Sequence, residues 1–80
     1  MNFTSIWKQT KKEIKSKIPD HAYSTWVDPI KLVGFNDNLL RLEVPNQFFF
    51  NWIQSHYHSL FISTFSNLSN LNIDIKYTIS

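Results

Sequence analysis

The sequence predicts an α+β fold in two layers, a three-stranded sheet with its helices on one face. Three observations carry that prediction. Residues 3–18 repeat apolar side chains with the 3.6-residue period of a helix. Residues 71–79 alternate apolar and polar side chains, the two-residue period of a strand with one buried face. Between them, Pro45 and Asn46 mark a switch from an alternating run to a helical one. The predicted element order is α-α-β-β-α-β, with residues 1–80 expected to form a single domain.

The first helix is predicted over Phe3 to Ile18. Phe3, Ile6, Thr10, Ile14 and Ile18 share its apolar stripe, and Lys8, Lys11, Lys12 and Lys15 fall on the opposite side. Trp7 lies at the border, beside Lys11. Thr4 or Ser5 is the expected cap. Pro19 stops this helix or begins the next. A short second helix is predicted from Asp20, its expected N-cap, to Trp26. Tyr23, Trp26 and Val27 form its apolar edge, and Pro29 prevents continuation.

Ile30 to Phe35 reads as a strand, with Ile30 and Leu32 on one face and Lys31, Val33 and Phe35 on the other. Gly34 marks a bulge or a close contact. Asn36-Asp37-Asn38 is turn chemistry and predicts a three-residue hairpin loop. Leu39 to Val44 follows as a strand, with Leu40, Leu42 and Val44 inward. A long helix, capped by Asn46, is expected to reach about Phe65. Phe49, Trp52, Ile53, Tyr57 and Leu60 share its inner face. Phe48 and Phe50 do not fit that face. Ser66 to Asn70 reads as a loop. The last strand then runs parallel to the second after a helical crossover.

Composition excludes several function classes. An 80-residue chain buries roughly 60% of its unfolded surface, and a hydrophobic content of 42% with 16% aromatics suffices for a core. With no cysteine there is no disulfide and no thiolate metal site. The N-terminus lacks a signal-peptide pattern, and no apolar run approaches the roughly 18 residues of a membrane span. The single glycine leaves no room for a phosphate-cradling loop. His56 and His58 are two apart, so on a helix they diverge and read as solvated or half-buried side chains, not a zinc pair. The six acids are scattered over separate elements, and no enzyme is expected. The net charge of +2 is a weak pointer to nucleic acid or an acidic partner. Lys8 to Lys17 contain five of the eight cations. They are either phosphate contacts or a solvated helix face, and Glu13 with Lys17 at i,i+4 favours the latter.

Several segments in combination resemble a known family. They are Ile6-Trp7, Ile18-Pro19, Tyr23-Ser24-Thr25-Trp26-Val27-Asp28-Pro29-Ile30, Leu40-Arg41-Leu42-Glu43-Val44-Pro45-Asn46-Gln47-Phe48, and Asn51-Trp52-Ile53 with Tyr57. In this order they resemble the N-terminal domain of the DnaA family of bacterial chromosomal replication initiators, over nearly the whole chain. The resemblance implies a KH-like fold and a protein–protein interaction module without catalysis. It implies self-association as a weak homodimer, and recruitment of the replicative helicase and regulatory proteins at the origin. It also implies a cytoplasmic, nucleoid-associated setting. No cofactor is expected here, since ATP belongs to a downstream domain. The chain is expected to be a piece ending before a flexible linker, with a stand-alone homologue as the other possibility.

The resemblance also assigns residues. Trp7, with Lys11 beside it, matches the self-association position. The alternatives for Trp7 are a partly exposed anchor and a core-edge tryptophan. Phe48 matches the aromatic linked to helicase contact, and otherwise covers the end of the hairpin. Ala22 stands where an acidic residue is common on that helicase- and regulator-facing surface, and Asp20, His21 or Asp28 would supply the polarity instead. Lys11 stands where an aliphatic residue is common. Tyr23, Trp26, Trp52 and Tyr57 are expected in the core. Phe50 either packs under the first helix or joins Phe48 at the surface. A second function, a small single-stranded nucleic-acid-binding KH-like domain, would use Lys8, Lys12 and Lys15. It would lack the GxxG clamp, because Gly34 is the only glycine.

Overall fold

The computed structural model describes residues 2–80. Its elements are α1 (Phe3–Lys15), α2 (Asp20–Ala22) continuing into a π-turn (Tyr23–Val27), β1 (Lys31–Asn36), β2 (Leu39–Val44), α3 (Gln47–His56), α4 (His58–Ser69) and β3 (Asp74–Ile79). The sheet order is β1-β2-β3. β1 pairs antiparallel with β2, and β2 pairs parallel with β3. The two-layer α+β prediction holds. Leu40, Leu42 and Val44 of the central strand are buried, while Leu39, Arg41 and Glu43 remain half-exposed on the other face. Ile14, Val27, Phe49, Ile53, Phe61 and Phe65 complete much of the core from the helical side.

Local chemistry sets the boundaries, sometimes differently from expectation. Asn2, not Thr4 or Ser5, caps α1: its Oδ1 accepts from Thr4 N at 2.9 Å and Ser5 N at 3.3 Å. The helix ends at Lys15 and does not reach Ile18. Asp20 is the first residue of α2 and not its cap, since Pro19 holds the extended cap position. The hairpin loop has two residues, Asp37 and Asn38, with φ of 53° and 58°. Two left-handed residues in succession match the right-handed strand twist, so Asn36 stays in β1.

The bulge expected at Gly34 is present. The register shifts between Leu32, opposite Leu42, and Gly34, opposite Arg41. The additional residue is Val33, which is exposed. Inserting one residue reverses the alternation, so Phe35 joins Leu32 on the core side and does not face outward. Its ring meets Phe3 at 6.2 Å and Phe65 at 5.4 Å. Gly34 makes no close approach: a Cβ there would meet nothing within 4 Å.

The largest departure is the long helix. It is broken at Tyr57, whose φ of −125° and ψ of −11° leave the helical region. Hydrogen bonds continue on both sides, from Tyr57 N to Ile53 O and from Phe61 N to Tyr57 O, each 2.9 Å. The break lets α3 bury Phe49 and Ile53 while α4 buries Phe61, Thr64 and Phe65. α4 then runs through the predicted loop to Ser69. Left-handed Asn70, φ 59°, closes it by donating its amide to Ser66 O at 2.8 Å. No helix of the described residues is long and apolar enough to cross a membrane.

Candidate functional site

The strand-to-helix junction positions the most exposed aromatic surface. Asn46 is extended, and its Oδ1 accepts from Phe49 N at 2.8 Å, which fixes the first turn of α3. From that start, Phe49 and Ile53 turn inward. Phe48, Trp52 and His56, spaced i, i+4, i+8, line the outer stripe. Phe48 is 69% exposed and Trp52 37%.

Trp26 meets this stripe from the π-turn. Asp28 N donates to Tyr23 O at 2.9 Å, an i to i+5 bond that widens the turn by one residue. Val27 is thereby fully buried, while half-buried Trp26 lies against α3. The Trp26 and Trp52 rings stack at 4.9 Å with an interplanar angle of 14°. His56 stacks on Trp52 at 3.9 Å and 14°. Its Nδ1 is 3.0 Å from Trp52 O, so Nδ1 carries the proton and donates to that carbonyl. Phe48 and Phe49 tilt onto Trp26 at 6.2 and 5.3 Å. The result is a continuous aromatic surface across two elements, flanked by polar Gln47 and Asn51, which bond each other at 2.9 Å. Exposed, preassembled aromatics suit an apolar or aromatic anchor of a protein partner, because little side-chain entropy remains to be lost.

The structure brings some of the sequence-assigned residues together. Phe48 lies over Trp26, and Ala22, half-buried, is one helical turn before Trp26. Asp20 and His21 are exposed on the same segment. Trp52, expected in the core, is instead part of the surface, and Trp26 only half enters the core. Helical spacing alone could not separate an outer aromatic stripe from an inner one. The i, i+4, i+8 spacing of Phe48, Trp52 and His56 was the available signal; the crossing of Trp26 had none. Phe50 neither packs under α1 nor joins Phe48. Its ring meets Tyr77 of β3 edge-on at 5.5 Å.

Trp7 stands apart from this surface. It is only 4% exposed and edge-on to Phe61 at 6.0 Å, so the partly exposed anchor gives way to the core reading. The reason is packing: α4 lies against α1, and the buried centre of α1 becomes Trp7, Thr10 and Ile14, leaving Phe3, Ile6 and Ile18 at the margins. Lys11 remains 20% exposed and reaches the end of the π-turn. Its Nζ is 3.5 Å from Asp28 O and 3.8 Å from Asp28 Oδ1. Lys8, Lys12 and Lys15 are exposed on α1, and Lys15 Nζ lies 5.4 Å from the Tyr23 ring centroid. Burial, and secondarily the charge of Asp28, raises the Tyr23 phenol above its ordinary value. Among the described residues no group of three His, Cys, Asp or Glu side chains could hold a metal ion.

Comparison with known proteins bears on the same segments. The family model described as the DnaA N-terminal domain matches residues 4–67, which include all of α1 but Phe3, the π-turn and the aromatic face of α3. The chromosomal replication initiator protein DnaA of Flavobacterium psychrophilum is 36% identical over 94% of this chain and 16% of its own length. Those of Geotalea daltonii and Thermodesulfovibrio yellowstonii are 32% and 29% identical, each over 94% of this chain and 17% of their own length. The chain thus spans about a sixth of these relatives. The matched segment carries the Pro-Asn junction, the aromatic face and the helices that bury Trp7, and on that match the chain belongs to the DnaA N-terminal domain family.

Proposed function

We propose that this chain is the protein–protein interaction module of a chromosomal replication initiator, docking the replicative helicase and replication regulators through the Phe48–Trp26–Trp52 surface. The observation that carries the reading is Phe48: a phenylalanine 69% exposed, held in place by a capped helix start and a tryptophan beneath it. Leaving such a ring in water is unfavourable unless a partner covers it. Ala22, Asp20 and His21 border the surface as its helical rim. The module performs no catalysis and needs no cofactor; ATP chemistry belongs to another part of the initiator. It works in the cytoplasm at the nucleoid.

Self-association is the second role, forming a weak homodimer. Lys11 is the surface member of the Trp7–Lys11 pair, and Trp7 supports that helix from beneath. A heteronuclear NMR titration with the replicative helicase tests the docking reading. Shifts should concentrate on Phe48, Trp26 and Trp52, and Phe48→Ala should abolish them while the remaining spectrum is preserved. Shifts confined to other elements would sink it. A second reading, single-stranded nucleic-acid binding, is favoured by the exposed Lys8 and Lys12 with Lys15 over Tyr23. It predicts salt-sensitive oligonucleotide binding that disappears when these lysines are neutralised.

A further inference from the structure

The break at Tyr57 leaves the end of α3 rich in hydrogen-bond acceptors. Tyr57 N closes the helix on Ile53 O. Beyond that bond, the carbonyls of Gln54, Ser55 and His56 receive no backbone amide among the described residues. In an unbroken helix the amides of His58, Ser59 and Leu60 would have bonded them, but these now belong to the first turn of α4. Gln54, Ser55 and His56 are all exposed. The His56 ring adds a fourth acceptor and is held in two ways. It stacks on Trp52 at 3.9 Å, and its Nδ1 donates to Trp52 O at 3.0 Å. In the neutral ring Nε2 therefore keeps its lone pair, pointed in a fixed direction and open to solvent.

The charges around this end leave it free for a cation. α3 contains no Asp, Glu, Lys or Arg, so His56 is its one titratable side chain. α4 adds only His58, which is bonded to Tyr77 of β3 at 3.0 Å. Asp74 and Lys76 of β3 are exposed on the sheet face away from the helices. The π-turn carries Tyr23, under Lys15, and is followed by Asp28, whose carboxylate lies 3.8 Å from Lys11 Nζ. Asp20 and His21 are exposed on α2. None of these groups forms an ion pair or hydrogen bond with His56. Four acceptors beside two stacked rings, with no lysine or arginine on the helix, complement a planar cationic donor.

We propose that the His56 end of the docking surface receives an arginine of the protein partner, whose guanidinium donates to Nε2 of neutral His56 and to the free carbonyls of the last α3 turn. A guanidinium offers five N–H donors in one plane and no acceptor, and its flat face suits neighbouring aromatic rings. Phe48 takes the apolar anchor, roughly 12 Å away along the helix, eight residues at about 1.5 Å each. Protonation of His56 replaces the lone pair with an N–H and sets cation against cation, so docking weakens as pH falls. This names the partner chemistry and the proton dependence of the surface proposed above, and it rests on that reading.

Calorimetric titration of the chain with the intact replicative helicase tests it between about pH 8 and about pH 5, the range in which an ordinary histidine changes charge. The parent should bind about tenfold more tightly at the upper end. His56→Phe keeps a ring on Trp52 and removes both nitrogens. At every pH it should bind as weakly as the parent does at the lower end. Position 56 is exposed, and the backbone NMR spectrum checks that the variant is folded. Among arginine-to-alanine variants of the helicase, one should lose the same factor against the parent and nothing further against His56→Phe. Parent binding that tightens on acidification, His56→Phe binding equal to the parent's at the upper end, or the absence of a coupled arginine would overturn the assignment. In each of these cases, binding that still weakens in Phe48→Ala leaves the docking surface standing. Helicase binding that Phe48→Ala does not change would overturn both.

Discussion

Replacing Trp7 with alanine removes an indole that is 4% exposed and packs edge-on against Phe61 at 6.0 Å. A truncation of this kind costs about 3–5 kcal/mol, the lost transfer free energy plus the cavity left behind. An 80-residue domain at about 0.05–0.15 kcal/mol per residue has roughly 4–12 kcal/mol in total. One substitution therefore removes a large share of the stability. At about 4–8 °C per kcal/mol for a domain this size, the midpoint should fall by roughly 12–40 °C. Thermal and urea unfolding followed by far-UV circular dichroism would measure this, with sedimentation of the same samples reporting self-association. Trp7→Phe keeps an aromatic edge toward Phe61 and should lose less. If Trp7→Ala unfolds at the parental midpoint and only self-association weakens, the packing argument is wrong and Trp7 is a surface anchor.

Other substitutions separate surface from scaffold. Phe48→Ala should change stability by less than about 1 kcal/mol, since its one ring contact is the tilted pair with Trp26, and should weaken helicase binding in calorimetry. Asn46→Ala removes the bond to Phe49 N and should cost about 0.5–2 kcal/mol in denaturant unfolding. Lys11→Ala should cost no more than about 1 kcal/mol by the same assay, because its long contacts to Asp28 end at a main-chain carbonyl and a solvated carboxylate. Burial, and secondarily the charge of Asp74, holds the Tyr77 phenol well above its ordinary value of 10.0. The folded chain thus keeps a proton that the unfolded chain releases. Stability should be flat with respect to this group below about pH 10 and fall above it, by at most about 1.4 kcal/mol per pH unit. In Tyr77→Phe that alkaline component should vanish from the pH dependence of the unfolding free energy, whereas loss of the 3.0 Å bond to His58 should lower stability at neutral pH by about 0.5–1.5 kcal/mol.

The amino-acid order alone determined the element types, the inward residues of β2, the bulge near Gly34 and the capped junction at Asn46. Each depends on interactions within a few residues: backbone period, turn chemistry, a side chain bonding its own helix start. It also set Phe48 apart as the aromatic that does not belong to the inner face of α3. Only the tertiary structure decided which aromatics are surface and which are core. Trp7 and Trp52 both sit at plausible stripe positions. Trp7 is buried because α4 packs across α1, and Trp52 is left partly in water because α3 turns Phe49 and Ile53 to the core, leaving only Trp26 and His56 to stack on its indole. Helical periodicity gives the angle of a side chain about its own axis. Which angle meets another element depends on the rotation and breaks of neighbouring helices, and these are fixed by long-range packing that no local pattern encodes.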